Sequence, residues 1–346
     1  MTGFAFENLK LPIFQAPMGG GITTPRLVST VSNYGAVGSF GFAYTGPEKI
    51  DKAMKETKKL TDGYINANFF VHTEITLPKK EIQKACVEAL ANLPIEQEIE
   101  LKIPHYPFFF PLEEQLDPIW ENPPSILTFH FGIPPYSIID KAKTLGIKIG
   151  ITATNKAEAV SIESMGADFI IAQGFEAGGH RGVFDLSLQD DRLELDDLLK
   201  DLKTTVSIPI IATGGIMTGA DINRVIQNGA IAAQMGTAFL CCEEAGTSPT
   251  YKDSMLNHQN RQTVITHAFS GRPARALENT FTKLMENKPF LPFPAQNALT
   301  NKLRKIAENN NNGEFTSLWA GKNYKKINNK TCLGILNQLN YEFYKQ

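Results

Sequence analysis

A glycine-lined histidine is the residue of this sequence that is best suited to proton chemistry. His180 lies in the loop AQGFEAGGHRG, residues 172–182, directly after the apolar run at residues 169–172. Histidine exchanges a proton near neutral pH, and glycine lets backbone N–H groups approach a ligand closely. A buried strand that ends in such a loop is typical of an active site at the carboxyl end of a parallel sheet. The other interpretation is a tight turn that carries a solvated histidine.

Two further glycine loops suggest an anion site. They are ATGGI at residues 212–216 and QMGTAF at residues 234–239, and each follows a short apolar run. Gly214, Gly215 and Gly236 can expose backbone N–H donors, and Thr237 adds a hydroxyl group. Loops at the end of the last two strands of an eight-stranded barrel commonly bind phosphate. Tight turns without a ligand are the alternative interpretation.

No metal site is predicted. The four cysteines, Cys86, Cys241, Cys242 and Cys332, form no C-x-x-C pair, and the six histidines form no recognisable ligand cluster. Reduced thiols in a cytoplasmic protein are the simplest interpretation of this cysteine usage.

The elements that must position these loops alternate along the chain. Apolar strand candidates occur at residues 11–18, 35–40, 64–70, 125–131, 148–154, 169–172, 208–213 and 230–235. Most are followed by an amphipathic helix, with Thr23 or Thr24 and Thr218 or Asp221 as candidate caps. This alternation predicts an α/β fold, a (β/α)8 TIM barrel over residues 1–245. Residues 74–124 are predicted to be an irregular inserted connection with one helix, and residues 246–346 a helical appendage on the barrel's catalytic face.

Composition limits the classes of partner. The chain has 346 residues, 42% of them hydrophobic, and a net charge of -2. A neutral balance of this kind does not indicate a nucleic-acid partner. The sequence contains no apolar run of membrane-spanning length and begins with no secretory pattern, so a cytoplasmic protein without a membrane partner is expected. The sequence predicts no oligomeric state.

Five motifs together identify a family resemblance. PIFQAPMGG, AQGFEAGGHRG, ATGGI, AAQMGTAFL and AFSGRPAR, between residues 11 and 276, resemble the FMN-dependent nitronate monooxygenases, formerly called 2-nitropropane dioxygenases. The resemblance implies a flavin-binding TIM barrel with a helical second region. It also implies oxidation of alkyl nitronates, such as propionate 3-nitronate, by O₂. In that chemistry FMN removes one electron from the nitronate and is then reoxidised by O₂.

The resemblance also implies roles for individual residues. His180 matches the active-site histidine, which would deprotonate a nitroalkane when neutral or hold a nitronate anion when protonated. The residues that match FMN contacts are Asn68, Gln173, Gly178, Gly179, Gly214, Gly215, Gln234, Met235, Gly236 and Thr237, with Gln15, Ala16 and Met18 along the flavin ring.

Several alternatives stay open at this stage. A related FMN enzyme that takes hydride from NAD(P)H, such as an enoyl-acyl-carrier-protein reductase or a quinone reductase, would share the barrel and the glycine-histidine loop. A flavin-binding protein without turnover is the third hypothesis. Among the remaining residues, His130 is predicted to be a core histidine, and residues 270–272 either reach the pocket or start a helix. Residues 108–110 form a substrate lid or, more simply, pack on the barrel.

Overall fold

The computed structural model describes residues 3–95, 100–257 and 260–345. Eight parallel strands form one sheet in the order β1-β9-β8-β6-β5-β4-β3-β2. Numbered along the chain, they are β1 Ile13–Gln15, β2 Gly38–Gly41, β3 Ile65–Phe70, β4 Ile126–His130, β5 Lys148–Ala153, β6 Phe169–Gln173, β8 Ile210–Thr213 and β9 Ala232–Met235. The sheet closes because Phe14 bridges to Val37, and the Gln15 N–H donates to the Val37 carbonyl at 2.9 Å. The predicted barrel is confirmed.

Eight helices follow these strands. They are α1 Pro25–Tyr34, α2 Pro47–Lys58, α4 Leu112–Glu121, α5 Tyr136–Thr144, α6 Lys156–Ser164, α7 Leu195–Leu202, α8 Gly219–Gln227 and α12 Cys332–Tyr344. Thr24 caps α1 by accepting from the Leu27 N–H at 3.1 Å. Thr218 and Asp221 form a reciprocal capping box at the start of α8. Both caps are residues that the sequence singled out.

The connection between β3 and β4 is more regular than the sequence suggested. Its described part contains two helices, α3 Lys80–Ala91 and α4, so the expectation of one helix followed by irregular chain is wrong for residues 112–121. Leu116 and Ile119, three residues apart, bury one face of α4 although Pro118 lies inside the helix. The Gln115 Nε2 also donates to the Phe42 and Thr45 carbonyls at 3.0 and 2.8 Å. These contacts outweigh the local preference of proline against a helix.

The region after the last barrel strand contains strands as well as helices. It holds α9 Pro249–Leu256, α10 Thr280–Leu284 and α11 Ala295–Asn309, together with β10 Thr263–Thr266 and β11 Ala274–Leu277. With β7, Gly179–His180, these two strands form a second sheet in the order β10-β11-β7. The appendage is therefore not only helical. Its antiparallel pairing of Ala274 with His180 holds the histidine loop in place.

The last helix returns to the barrel. Along α12, Glu342 accepts from the Gly219 N–H at 2.8 Å, and the Phe343 carbonyl accepts from Asn223 Nδ2 at 2.8 Å. The helix packs between α1 and α8 as the eighth helix of the outer ring. The division predicted at residue 245 does not account for this return. No helix in the described ranges is long and apolar enough to cross a membrane.

The barrel interior is apolar at one end and polar towards the other. Phe4, Phe6, Phe14 and Phe169 form an aromatic cluster with ring centroids 4.8–6.3 Å apart. Towards the carboxyl ends of the strands, buried polar side chains replace the aromatic rings and form hydrogen bonds with one another. This polar layer links Ser39, Asn66, Thr128 and Asn68 through contacts of 3.0–3.1 Å. It fixes Asn68, near the carboxyl end of β3, in one orientation.

Candidate active site

A cavity of about 580 Å³ opens at the carboxyl ends of the barrel strands. Its wall combines the barrel loops with residues from α9, from α11 and from the segment 316–323. Most of the predicted site residues lie on this wall: Ala16, Met18, Asn68, Gln173, Gly178, Gly179, His180, Gly214, Gly215, Gln234, Gly236 and Thr237. The fold therefore brings together groups that are separated by more than 200 residues in sequence.

Two predicted contacts do not reach the cavity. Gln15 and Met235 are 0% and 1% exposed and lie behind its wall. The Gln15 Oε1 accepts from the Ser39 N–H at 3.0 Å, and its Nε2 donates to the Ala16 carbonyl. These two side chains support the barrel strands, and a contact of either residue with a bound flavin stays a prediction.

The two late glycine loops present unused donors. Gly214 and Gly215 have φ angles of 131° and 66°, which favour glycine and turn the backbone N–H groups away from regular pairing. Among the described residues, no acceptor receives the backbone N–H of Gly214, Gly215, Gly236 or Thr237. All four residues line the cavity. Several unpaired N–H groups on one cavity wall suit an anion with several oxygens.

A segment far along the chain covers these loops, and no motif in the sequence indicates it. Asn323 Nδ2 donates to the Gly215 carbonyl at 2.7 Å, and the Gly321 N–H donates to Thr237 Oγ1 at 3.0 Å. A Cβ on Gly178 would lie 2.5 Å from the Gly321 nitrogen, so that position requires glycine for packing. Asn323 and Gly321 belong to an ordinary loop without a recognisable spacing, and only the tertiary structure reveals them.

The histidine loop is held by side chains beneath it. Gln173 Nε2 donates to the His180 carbonyl at 2.9 Å, and its Oε1 accepts from the Gly182 N–H at 2.8 Å. Arg181 is 1% exposed and pairs with Asp190 through two contacts of 2.9 Å. Gln173 thus lines the cavity while its amide orients the loop that carries His180.

The His180 ring faces the cavity from an aromatic surround. Its Nε2 lies 2.8 Å from Ser270 Oγ, and its ring centroid lies 5.2–6.1 Å from those of Phe70, Phe293 and Trp319. No described residue hydrogen-bonds to its Nδ1, which leaves that nitrogen for a ligand. The interpretation of residues 270–272 as a helix start is wrong because β11 follows them. None of the three lines the cavity, and Ser270 reaches it only through its contact with His180.

Burial and nearby positive charge keep this ring neutral. Burial lowers the pKa of His180 to about 3, and the charges of Arg272, His130 and Arg304 act in the same direction. The pKa of His130 is also lowered to about 3 by burial and by Arg272. His130 Nε2 lies 3.2 Å from the His180 carbonyl, and the ring lines the cavity instead of lying in the core as expected. Both histidines are therefore neutral at pH 7.

The chain is similar to known proteins over nearly its whole length. The family model described as nitronate monooxygenase matches residues 3–342. The chain belongs to the nitronate monooxygenase family. A probable nitronate monooxygenase from Bacillus subtilis is 35% identical, over 96% of each chain. The nitronate monooxygenase of Paraburkholderia phytofirmans is 38% identical, over 83% of this chain and 79% of the relative.

A solved structure agrees with the family assignment. Nitroalkane oxidase from Streptomyces ansochromogenes superposes with a TM-score of 0.91 at 32% identity, covering 98% of this chain and 97% of the other. The family resemblance deduced from the five motifs is confirmed, and the protein is an oxidoreductase of the class that oxidises nitronates.

Proposed function

We propose that this protein is an FMN-dependent nitronate monooxygenase that oxidises alkyl nitronates, such as propionate 3-nitronate, with O₂. One observation carries the proposal. A neutral histidine with a free Nδ1 lies on the same cavity wall as four unused backbone N–H donors. The donors suit a phosphate group, and the histidine suits a substrate that gains or loses a proton at carbon.

The residues present fit FMN in two further respects. The Gln234 Oε1 is buried without a hydrogen-bond partner among the described residues, and Gln234 lines the cavity. A ligand with an N–H group, such as a flavin ring, would satisfy it. Ala16, Met18 and Asn68 supply a mostly apolar wall with one amide for that ring. When bound, FMN would supply the electron acceptor and the site of reaction with O₂.

His180 is assigned the role of general base toward neutral nitroalkanes. The lowered pKa favours the neutral imidazole at pH 7 over the imidazolium that would hold an anion. In the proposed step, Nδ1 accepts the proton from the α-carbon while the C–H electron pair forms a C=N bond. The negative charge moves to the nitro oxygens. The similarity to a protein named nitroalkane oxidase supports neutral nitroalkanes as substrates.

The proposal predicts that the purified protein carries non-covalent FMN and responds to nitronate. Denaturation followed by mass measurement of the released chromophore should give FMN. Propionate 3-nitronate, mixed anaerobically with the holoenzyme, should change the flavin spectrum, because the substrate donates electrons. NADH under the same conditions should leave the spectrum unchanged.

Each alternative hypothesis has its own result in this experiment. Rapid bleaching by NADH would favour an NAD(P)H-dependent reductase, whereas bound FMN that responds to neither reagent would favour a non-catalytic flavoprotein. Recovery of FAD, or of no flavin after reconstitution with FMN, would reject the cofactor assignment.

A further inference from the structure

Tyr44 carries a buried hydroxyl group that the protein leaves without a partner. The residue follows β2, in the loop GFAYTG, and lines the cavity. Its hydroxyl oxygen is inaccessible to solvent and bonds to no described residue. An unsatisfied buried hydroxyl costs free energy, and most buried polar groups have a partner. A group that is orphaned on the wall of a ligand cavity is therefore a candidate ligand contact.

Tyr44 and His180 contact the same two aromatic rings. The Tyr44 ring centroid lies 5.7 Å from that of Phe70 and 6.4 Å from that of Phe293. The His180 centroid lies 6.1 and 5.6 Å from the same two rings. Both polar side chains thus line the cavity beside Phe70, which lines it too. A small substrate placed against Phe70 would have the imidazole and the phenol as its polar neighbours.

The charge around Tyr44 suits an anionic acceptor. Burial raises the pKa of Tyr44 despite the opposing charges of Arg304 and Arg272, so the phenol keeps its proton. Arg304 donates to Asn297 Oδ1 at 2.8 Å and to Thr300 Oγ1 at 3.1 Å. It forms no ion pair with a carboxylate among the described residues, although the negative charge of Glu308 acts on it.

We propose that the Tyr44 hydroxyl donates a hydrogen bond to a nitro-group oxygen of the substrate, opposite His180. This inference rests on the proposed function. The oxygen gains negative charge as the α-carbon loses its proton, so the hydrogen bond strengthens toward the transition state. The same donor would hold a pre-formed nitronate, in which the charge is already on the oxygens. Tyr44 would then act on both substrate forms, whereas a base at His180 acts on one.

Tyr44→Phe tests this assignment because it removes the hydroxyl and keeps the ring. We expect kcat/KM to fall about 10- to 100-fold with both nitroalkane and nitronate, as for loss of a hydrogen bond to a charged group. The content of FMN should stay unchanged. Nitrate, a planar anion, serves as an unreactive probe: its dissociation constant, measured from the flavin spectrum, should rise about tenfold. Tyr64→Phe, outside the cavity wall, is the matched control and should change neither quantity.

The possible failures can be told apart. Unchanged kinetics and nitrate binding in Tyr44→Phe, with an active wild type, would overturn the Tyr44 assignment and leave the proposed function standing. Loss of FMN from the variant would also overturn it, since the hydroxyl would then contact the cofactor. A wild-type holoenzyme that oxidises neither substrate would overturn the proposed function, and this inference with it.

Discussion

The His180 ring has a hydroxyl group rather than a carboxylate as its orienting partner. Ser270 Oγ lies 2.8 Å from Nε2, while the charges that act on the ring include those of Arg272 and Arg304, which are positive. A carboxylate would stabilise the imidazolium. The described contacts of the ring include no carboxylate, so the neutral imidazole is favoured. The site thus combines a neutral base with positive charges that would stabilise the anion generated by this base.

His180→Asn should separate the two substrate forms. Turnover of neutral nitroalkane should fall about 10²- to 10⁴-fold, as for loss of a general base, while pre-formed nitronate should keep a substantial part of its rate. Wild-type kcat/KM for nitroalkane should not follow a histidine titration between pH 7 and 4. The base is neutral above its pKa of about 3 and is lost only as the pH falls through that value.

Steady-state kinetics at matched flavin content measures both effects. Equal losses on both substrates would assign His180 to holding the anion. Near-wild-type rates on both substrates would mean that His180 has no catalytic role and is only part of the loop.

Single residues differ in how well the sequence predicted them. His180 and the glycines were predictable because their chemistry depends on residue type and because they lie in recognisable motifs. Tyr44 and Asn323 did not, because a tyrosine or an asparagine in a loop has no spacing that reveals what it faces. Gln15 and Met235 lie within matching motifs, yet side chains alternate along a strand. The residue after each of them lines the cavity, and they do not.

At the scale of elements, the two glycine loops act as one donor surface. Gly236 is the better position to test it, because its φ of -104° suits any residue, whereas Gly215 has a φ of 66° and would be strained by any side chain. A Cβ on Gly236 would lie 3.3 Å from the Ala16 Cβ.

Gly236→Leu should weaken FMN binding about tenfold or more, since the added side chain displaces a phosphate from charged hydrogen bonds. Fluorescence titration of the apoprotein with FMN gives the affinity, and far-UV circular dichroism reports whether the barrel persists. Gly3→Leu, at a position with open space around it, is the control. Undiminished affinity in Gly236→Leu would remove the phosphate assignment.

Elements with a clear hydrophobic pattern in the sequence were predictable, and those that depend on tertiary contacts were not. The barrel strands are apolar runs that a parallel sheet buries on both faces, so they stand out in the sequence. Helix α4 contains Pro118, which argues locally against a helix, and its buried contacts with α2 decide the outcome. Strand β7 has two residues, too few for any period, and exists because β11 pairs with it.

At the scale of the whole molecule, α12 completes the outer ring. This helix follows all the elements of the second region, so residues 246–346 are interleaved with the barrel instead of simply following it. Gly219, the first residue of α8, approaches α12 closely: an added Cβ would lie 2.5 Å from the Glu342 Cβ and from the Phe343 nitrogen. How residues 1–245 and 246–346 divide as folding units stays a prediction, and so does a cytoplasmic location.

Gly219→Ala should destabilise the protein by about 1–3 kcal/mol, the usual cost of overpacking a tight contact. Equilibrium unfolding in urea measures the change, and Gly3→Ala serves as the matched control. An unchanged free energy of unfolding would mean that α12 shifts away at no cost, and that the helix contributes little to closing the ring.

The position of residues 319–344 also sets an order of events during synthesis. At ordinary translation rates, Asn323 emerges on the order of 10 s after the glycine loop at Gly236 that it helps to cover. Until then, the gap between α1 and α8 is open and the donor loops lack their cover. The nascent chain must therefore avoid association at that exposed seam, and we expect the proposed cofactor to bind only after residues 319–344 have emerged.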